Sequence, residues 1–338
     1  CTVDVTGLEP GTEYVFSAYA ESLDGDDYTD PVSFTTLAGT APNGDVTGID
    51  GSDINAIATQ ADGKILIGGV FNAVQGEERI NLARLNADGS LDPTFAPYVE
   101  YSPYQASVRA IAVQDDGKIV IGGIFYEIDG HFAGPSIARL NPDGSRDETF
   151  NASTDYGVVE GLAIQPDGKI LVSGSFGSFG SGGLNGNVRY QHLGRLNPDG
   201  TLDTTFIPAP GTGPNNSVSS IAVQDDGKIL ISGFFNLYSG VAQERFARLN
   251  NNGTLDTGFT PDFDAYTMAL QADGKILIAS YNPAQVPFPN DPTYGLYRVE
   301  TTGTLDPGYA TSTGNTGGAF VNNPIYSIAV QSDGKAII

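Results

Sequence analysis

One pentapeptide recurs six times along the 338 residues: Gln-x-Asp-Gly-Lys, at Gln60–Lys64, Gln114–Lys118, Gln165–Lys169, Gln224–Lys228, Gln271–Lys275 and Gln331–Lys335. Its six lysines are all the lysines of the chain, spaced 54, 51, 59, 47 and 60 residues apart. A second block follows each of the first five: ARLNADGSLDPTF (83–95), ARLNPDGSRDETF (138–150), GRLNPDGTLDTTF (194–206), ARLNNNGTLDTGF (247–259) and the weaker YRVETTGTLDPGY (297–309). Self-similarity at such a period outranks any local signal, because each unit must bury its faces against its neighbours.

Each block reads as a β-hairpin. In IAVQDDGKIVIGG two short apolar runs flank an Asp-Gly turn, where Gly takes positive φ and the Asp side chain bonds its own backbone. Both runs are apolar at consecutive positions, the pattern of strands buried on two faces. Gly122-Gly123 and its counterparts allow close backbone approach. Two hairpins make a four-stranded antiparallel unit, and its radial repetition predicts an all-β, β-propeller-like array of five full blades and part of a sixth. A parallel β-helix has no need of two reversing turns per repeat.

The two segments, in this order, resemble those of the delta-60 repeat family, over about residues 46–338. Repeat five departs, with Ala279-Ser280-Tyr281 in place of the Gly-Gly-x-Phe step. The resemblance implies propeller-like blades in large secreted or surface bacterial proteins, with no assigned chemistry. Residues 1–36 differ: Leu8-Glu9-Pro10-Gly11-Thr12-Glu13-Tyr14 resembles the tyrosine corner of a fibronectin type III domain. The expected organisation is the C-terminal half of such a sandwich at 1–36, about three strands, and a linker at 37–46. Repeats then follow at about 47–95, 101–150, 155–206, 216–259, 262–309 and 324–338, the last partial. Chain ends that fall inside strand-like runs suggest a fragment of a longer protein and an open arc with exposed edges.

Forty acidic against sixteen basic residues give a formal charge of −24. That argues against a general nucleic-acid or anionic-membrane binder, which needs clustered positive charge. No apolar run is long enough to span a bilayer, so no membrane insertion is expected of this segment. One cysteine, Cys1, excludes an internal disulfide framework.

Turns joining strands one to two and three to four are short and nearly constant between repeats. The remaining loops vary: 72–80, 126–136, 177–191, 236–245 and 281–295 within repeats, and 96–106, 151–157, 207–217, 260–263 and 310–324 between them. Variable loops on a rigid scaffold commonly carry recognition. Several hold aromatics, among them Tyr98, Tyr101, Tyr104, Phe179, Tyr190, Tyr238 and Phe288; large rings also bury well as gap fillers. Aligned on the anchor Gln, one position reads Asn55, Arg109, Glu160, Ser219, Tyr266 and Tyr326, followed always by a small residue. With strand one innermost, this column lies at the axial mouth and forms the candidate ligand-binding set; drift at a wet strand end gives the same pattern.

Arg84, Arg139, Arg195, Arg248 and Arg298 recur in one strand position, and Asp92, Asp147, Asp203, Asp256 and Asp306 close the second block. A charged residue repeated in a strand must be satisfied, so a structural contact to a carboxylate or carbonyl is expected. Asn-x-Asp-Gly-Ser/Thr-x-Asp at Asn86, Asp88 and Asp92 faintly resembles a calcium loop, but lacks the distal bidentate Glu. No resident metal or cofactor is therefore expected, with Ca2+ the weak exception. His131 and His192 have no motif-like Ser or Asp partner, and the Gly-rich 174–186 run has no phosphate-binding Lys. No catalytic residue is assigned. The expected function is a non-enzymatic secreted or surface interaction module, with a protein or glycan partner. The alternative is a carbohydrate-binding or glycan-cleaving propeller, its best acidic trio being Asp53, Glu160 and Asp264.

Overall fold

The Asp-Gly turn sets the local geometry of every repeat. In the first, Gly63 sits at φ 83° and donates to Gln60 O (2.9 Å), while Gln60 N donates to Lys64 O (2.8 Å). Asp62 Oδ1 accepts from Lys64 N (3.1 Å), holding the turn from its own side chain. The same bonds recur at Gly117, Gly168, Gly227 and Gly274.

The computed structural model describes residues 49–101, 103–152, 154, 157–177, 191–206, 213–261, 263–281, 294–306, 308–309, 318–321, 325, 327–330 and 336–338, and short strands at 13–16, 19–22, 25–28 and 32–35. Blade one is built from Ile49–Thr59, Ile65–Val74 and Leu82–Leu85; blade two from Ser107–Val113, Ile119–Ile124 and Ile137–Leu140. Blade three uses Val158–Ile164, Ile170–Ser175 and Leu193–Leu196, and blade four Val218–Val223, Ile229–Gly233 and Phe246–Leu249. Blade five comprises Thr267–Leu270, Ile276–Tyr281, Tyr294–Val299 and Gly318–Val321; Ala329–Val330 pairs with Ala336–Ile337 beyond it. All ladders are antiparallel, and the described residues contain no helix.

In blades one to four the outermost element is a single bridged pair: Leu85↔Leu91, Leu140↔Arg146, Leu196↔Leu202 and Leu249↔Leu255. Its remaining backbone is taken up by Asp-centred turns. In blade five, Gly318–Val321 adds a further strand against Tyr294–Tyr297, where the repeat pattern places only a connection.

Each first strand packs beside the next, in the order of the blades. The second strands are buried on both faces: Ile119–Ile121, Ile170–Val172, Ile229–Ile231 and Ile276–Ile278 are all fully buried. The first strands are less buried: Val108, Val159 and Val218 are fully buried, but most residues of Val158–Ile164 and Val218–Val223 are partly exposed, contrary to the two-faced burial expected from their apolar runs. They line the inner side, where the first and second strands of the adjoining blades cover them in part. Ile111 shows how: its Cδ1 reaches to 3.0 Å of the Cβ position of Gly68 in blade one. Ile57, the equivalent residue of blade one, is 66% exposed, with no earlier blade among the described residues.

Glu13–Phe16 pairs with Val32–Thr35, and Tyr19–Ser22 with Gly25–Tyr28. The 37–46 linker, most of the Leu8–Tyr14 motif and Cys1 lie outside the described residues.

Candidate functional site

The two ends of the blades carry different chemistry. At the Asp-Gly-Lys end, Asp203 of blade three accepts from Lys169 Nζ (3.0 Å) and Arg195 Nε (2.9 Å) on Oδ2. Its Oδ1 accepts from the Thr205 amide (3.0 Å) and hydroxyl (2.6 Å). The Arg195 guanidinium lies 4.5 Å over the ring of Phe206. Its Nη1 donates to Gln165 Oε1 (3.1 Å) and to the carbonyl of Asn251, in the outer turn of blade four. One buried arginine thus ties three parts of its own blade to the next.

The clasp recurs around the array. Arg84 pairs with Asp92, Arg139 with Asp147, Arg248 with Asp256 and Arg298 with Asp306, each joined by the anchor Lys and each over an aromatic ring. Arg84 donates to Pro142 O (2.6 Å), Arg139 to Pro198 O and Arg248 to Thr301 O (2.5 Å), always in the following blade. Phe95, Phe150 and Phe259, under Arg84, Arg139 and Arg248, abut the glycine of that next-blade turn, Gly144, Gly200 and Gly303. A Cβ on Gly303 would lie 2.9 Å from Phe259. Burial opposes ionisation of Asp92, Asp147 and Asp203, but their Lys, Thr and Arg partners outweigh it and hold these carboxyls well below the usual range. Asp256 is brought down to about 2. In Asp306 the Lys275 bond is itself the main cause of a still lower value.

At the other end of the same hairpins lies the variable column. Register shifts at Ile54/Ala56, Val108/Ala110, Val159/Gly161 and Val218/Ser220 leave Asn55, Arg109, Glu160 and Ser219 as the extra residues of β-bulges. A bulge turns its side chain out of the ladder, so its chemistry is free to differ between blades. The contacts run from blade to blade. Asn55 Nδ2 donates to Ser107 Oγ (3.1 Å); Arg109 places its charge near Glu160; the Ser219 hydroxyl bonds the Glu160 carboxylate. Half-burial raises Glu160, and Arg109 and Ser219 only partly offset it. Tyr266 continues the row from blade five, its hydroxyl 2.5 Å from Arg245 Nη1 of blade four. Arg245 also lies near the exposed ring of Phe234, so base, phenol and phenyl form one cluster. Tyr326 lies outside the described residues.

Sequence reasoning missed the partners Ser107, Phe234 and Arg245, and a second column beside them. Asn81, Ser136, His192 and Arg245 precede the third strands of blades one to four, all at positive φ between 59° and 68°. Their carbonyls accept from Gly69, Gly123, Gly174 and Gly233, the residues opposite the bulges. Three reach the next blade's approach: Asn81 Nδ2 to Val99 O (2.9 Å), Ser136 Oγ to Gly157 O (2.5 Å) and Arg245 to Tyr266. A polar residue recurring before strand three was the available signal.

Other sequence candidates resolve differently. The calcium-like spacing is turn chemistry: Asp88 Oδ1 accepts from the Ser90 amide (3.0 Å) and hydroxyl (2.6 Å), and Asp92 belongs to the clasp. Among the described residues no cluster of three His, Cys, Asp or Glu side chains could hold a metal ion. Asp264 Oδ1 accepts from Ser280 Oγ (2.7 Å), and no contact joins it to Glu160 or to the exposed Asp53 among the described residues. Tyr238 is a gap filler, fully buried with its hydroxyl on Gly253 O (2.5 Å). Tyr98 and Tyr104 are exposed. Phe179, Tyr190 and Phe288 lie outside the described residues, as does most of the Gly-rich run.

No curated protein matches the chain. Among solved structures it is similar to PorZ of Porphyromonas gingivalis, an essential bacterial surface component of the type-IX secretion system, with 13% identity, a TM-score of 0.46, 96% of this chain covered and 43% of that one. It is similar to the WD40 beta propeller domain of Doa1 (12% identity, TM-score 0.45, 95% and 81% covered). It is also similar to a gluconolactonase from Xanthomonas campestris (19%, 0.40, 66% and 68%). Residues 60–95, 114–150, 165–206 and 224–259 match the family described as Domain of unknown function (DUF5122) beta-propeller. The chain is an all-β, β-propeller-type protein whose blades one to four carry the DUF5122 pattern.

Proposed function

We propose that the chain is a non-enzymatic interaction module of a secreted or cell-surface bacterial protein, which recognises its partner with the bulge row and the variable loops around it. The observation that carries this reading is the contrast within each hairpin. The clasp end repeats one set of residues, whereas the bulge end offers amide, guanidinium, carboxylate, hydroxyl and phenol in turn. A stability role predicts sameness; recognition predicts difference on a fixed backbone. Residues 1–36 are proposed as the C-terminal half of a fibronectin type III domain and 37–46 as its linker to the propeller. An acidic surface would keep neighbouring modules soluble and mutually repulsive.

The test uses the full chain on beads, challenged with intact bacterial cells and with extracted envelope proteins and glycans. Replacing Arg109, Glu160 and Tyr266 together with Ala should abolish retention while leaving the melting temperature within a few degrees. Equal retention by both proteins would remove the row from the function. Surface placement is checked by labelling intact producing cells with a membrane-impermeant reagent; a protein labelled only after lysis is not a surface module.

One observation favours a second reading. A carboxyl raised by half-burial beside a base, as at Glu160, suits a general acid in glycan cleavage. Reducing-sugar release that is lost in Glu160→Gln would support it, and no release from any glycan tested would dismiss it.

A further inference from the structure

Above the joint between blades one and two, two variable loops enclose a cleft of about 440 Å3. Tyr98, Tyr101 and Tyr104 wall it, with Asn72, Glu100 and Gln105 along its edges. The rings belong to a larger group: Tyr101 packs on Tyr104 (centroids 5.1 Å) and on Tyr126 (4.6 Å), and Tyr126 stacks with Phe132 (6.4 Å, 15° between planes). Tyr104 is 69% exposed and Phe132 66%. Rings recruited to fill a gap between blades would be covered, as Tyr238 is. Here the face of the group stands in water, where apolar area costs about 25 cal/mol per Å2.

The frame is rigid. Val99–Glu100 pairs with Glu127–Ile128, which pairs with His131–Phe132, forming a small sheet of its own on the loop face. Asp129, at φ 55°, exchanges bonds with Tyr98 through its amide (2.9 Å) and its carboxylate (2.9 Å). Among the described residues, the side chains of Asn72, Glu100 and Gln105 have no hydrogen-bond partner. A preformed cleft of this volume, with aromatic walls and a few convergent polar groups, is the usual form of a small-ligand site.

The donor set selects the ligand. A pyranose presents a C–H face that packs on a phenol ring, and a rim of hydroxyls that both donate and accept. Two free amides and a carboxylate match that rim. Glu100 in the wall and a net charge of −24 disfavour sulfated, phosphorylated or uronic sugars. A protein partner would call for a flatter, more apolar surface than a cleft edged by amides. We propose that this cleft binds a neutral oligosaccharide, with Tyr101 and Tyr104 stacking on a sugar ring and Asn72, Glu100 and Gln105 bonding its hydroxyls. The proposal rests on the reading of the loop face as the recognition face, but not on the bulge row.

The full chain is titrated by calorimetry with hexasaccharides of cellulose, xylan, mannan and chitin, and with an oligogalacturonate as the anionic control. At least one neutral hexasaccharide should bind at millimolar concentration or below, and the oligogalacturonate should not. Tyr104→Ala, which removes a mostly exposed ring, should weaken binding about tenfold or more with an unchanged melting temperature. Gln105→Ala should weaken it less, and Arg109→Ala should leave it unchanged. In the titrations, four results overturn the proposal: no neutral sugar bound, tighter binding of the anionic one, affinity indifferent to Tyr104→Ala, or affinity lost in Arg109→Ala instead. The last returns sugar binding to the bulge row, so failure of the cleft and failure of the row are read separately. Retention of an envelope protein that depends on Tyr104, with no sugar bound, assigns the cleft to a protein and also overturns it.

Discussion

The two ends of each inner hairpin lie about five residues apart and obey opposite rules. At the clasp, five blades place the same Lys, Arg, Asp and aromatic ring in the same geometry, and each of the first four arginines bonds the following blade. At the bulge, the backbone is equally constant in four blades but every side chain differs. The difference separates two tasks. A repeated array needs one joint made many times, and removing one member of a buried ion pair leaves the other charge buried without its partner. A binding face needs varied groups on a backbone that does not move. Putting the repeated joint at one end lets the side chains at the other differ from blade to blade.

That division breaks first if the clasp proves dispensable. Arg195→Ala removes one of the two cations on Asp203, the cap over Phe206 and the bonds to Gln165 and Asn251 at once, leaving a buried carboxylate with Lys169 as its one cation. It is expected to cost about 3–5 kcal/mol in chemical denaturation. Arg109→Ala, at an exposed position of the same net charge, should stay within about 0.5 kcal/mol. Similar losses for the two would erase the distinction.

The next effect is smaller and depends on acid. The clasp carboxyls are held below their ordinary value of 3.8, so their stabilisation is complete above that value and is lost as pH falls through the folded values, about 2 for Asp256. Asp256→Asn should therefore cost about 1.5–3 kcal/mol at pH 7. The gap between variant and parent should close between about pH 4 and 2. A gap independent of pH would mean that shape, not charge, holds the joint.

Blade five sharpens the comparison from within the chain. It lacks the Gly opposite the bulge, carrying Ser280 there, and its inner strand pairs without a register shift, Thr267 to Ala279 through Leu270 to Ile276. The glycine is required elsewhere because a Cβ on Gly174 would collide with the Val158 carbonyl that the bulge pushes inward. Gly174→Ala should cost about 1–3 kcal/mol. It should also displace Glu160, seen as loss of its contact with Ser219. A stable variant with Glu160 in place would show that the bulge does not need its glycine.

This blade also explains what the sequence disclosed. The repeat, the Asp-Gly hairpins and the Arg and Asp columns were legible because each is set by residues near in sequence or by a charge that must be met. The bulge was not, since register belongs to a pair of strands. Its trace was the Gly-Gly or Ser-Gly step of repeats one to four and the absence of that step in repeat five. The residues at positive φ before strand three were hidden for a related reason: Asn81, Ser136, His192 and Arg245 share a backbone shape, not a residue type. Aromatic content marked the loops, but only packing separates Tyr238, buried as a plug, from Tyr104, left in water.

The smallest effect tests whether the bulge row is one surface or a set of neighbours. Half-burial raises Glu160, and Arg109, one blade away, pulls it back down. Arg109→Ala should therefore raise the Glu160 value further, followed by the carboxyl carbon in a pH titration. Added salt should move the parent in the same direction and the variant much less, because Arg109 is exposed and its field is screened over about 10 Å at 0.1 M. Ser219→Ala should also raise it, without the salt dependence. If neither substitution moves Glu160, adjacent blades do not share their charges, and a ligand crossing the row would meet separate sites rather than one.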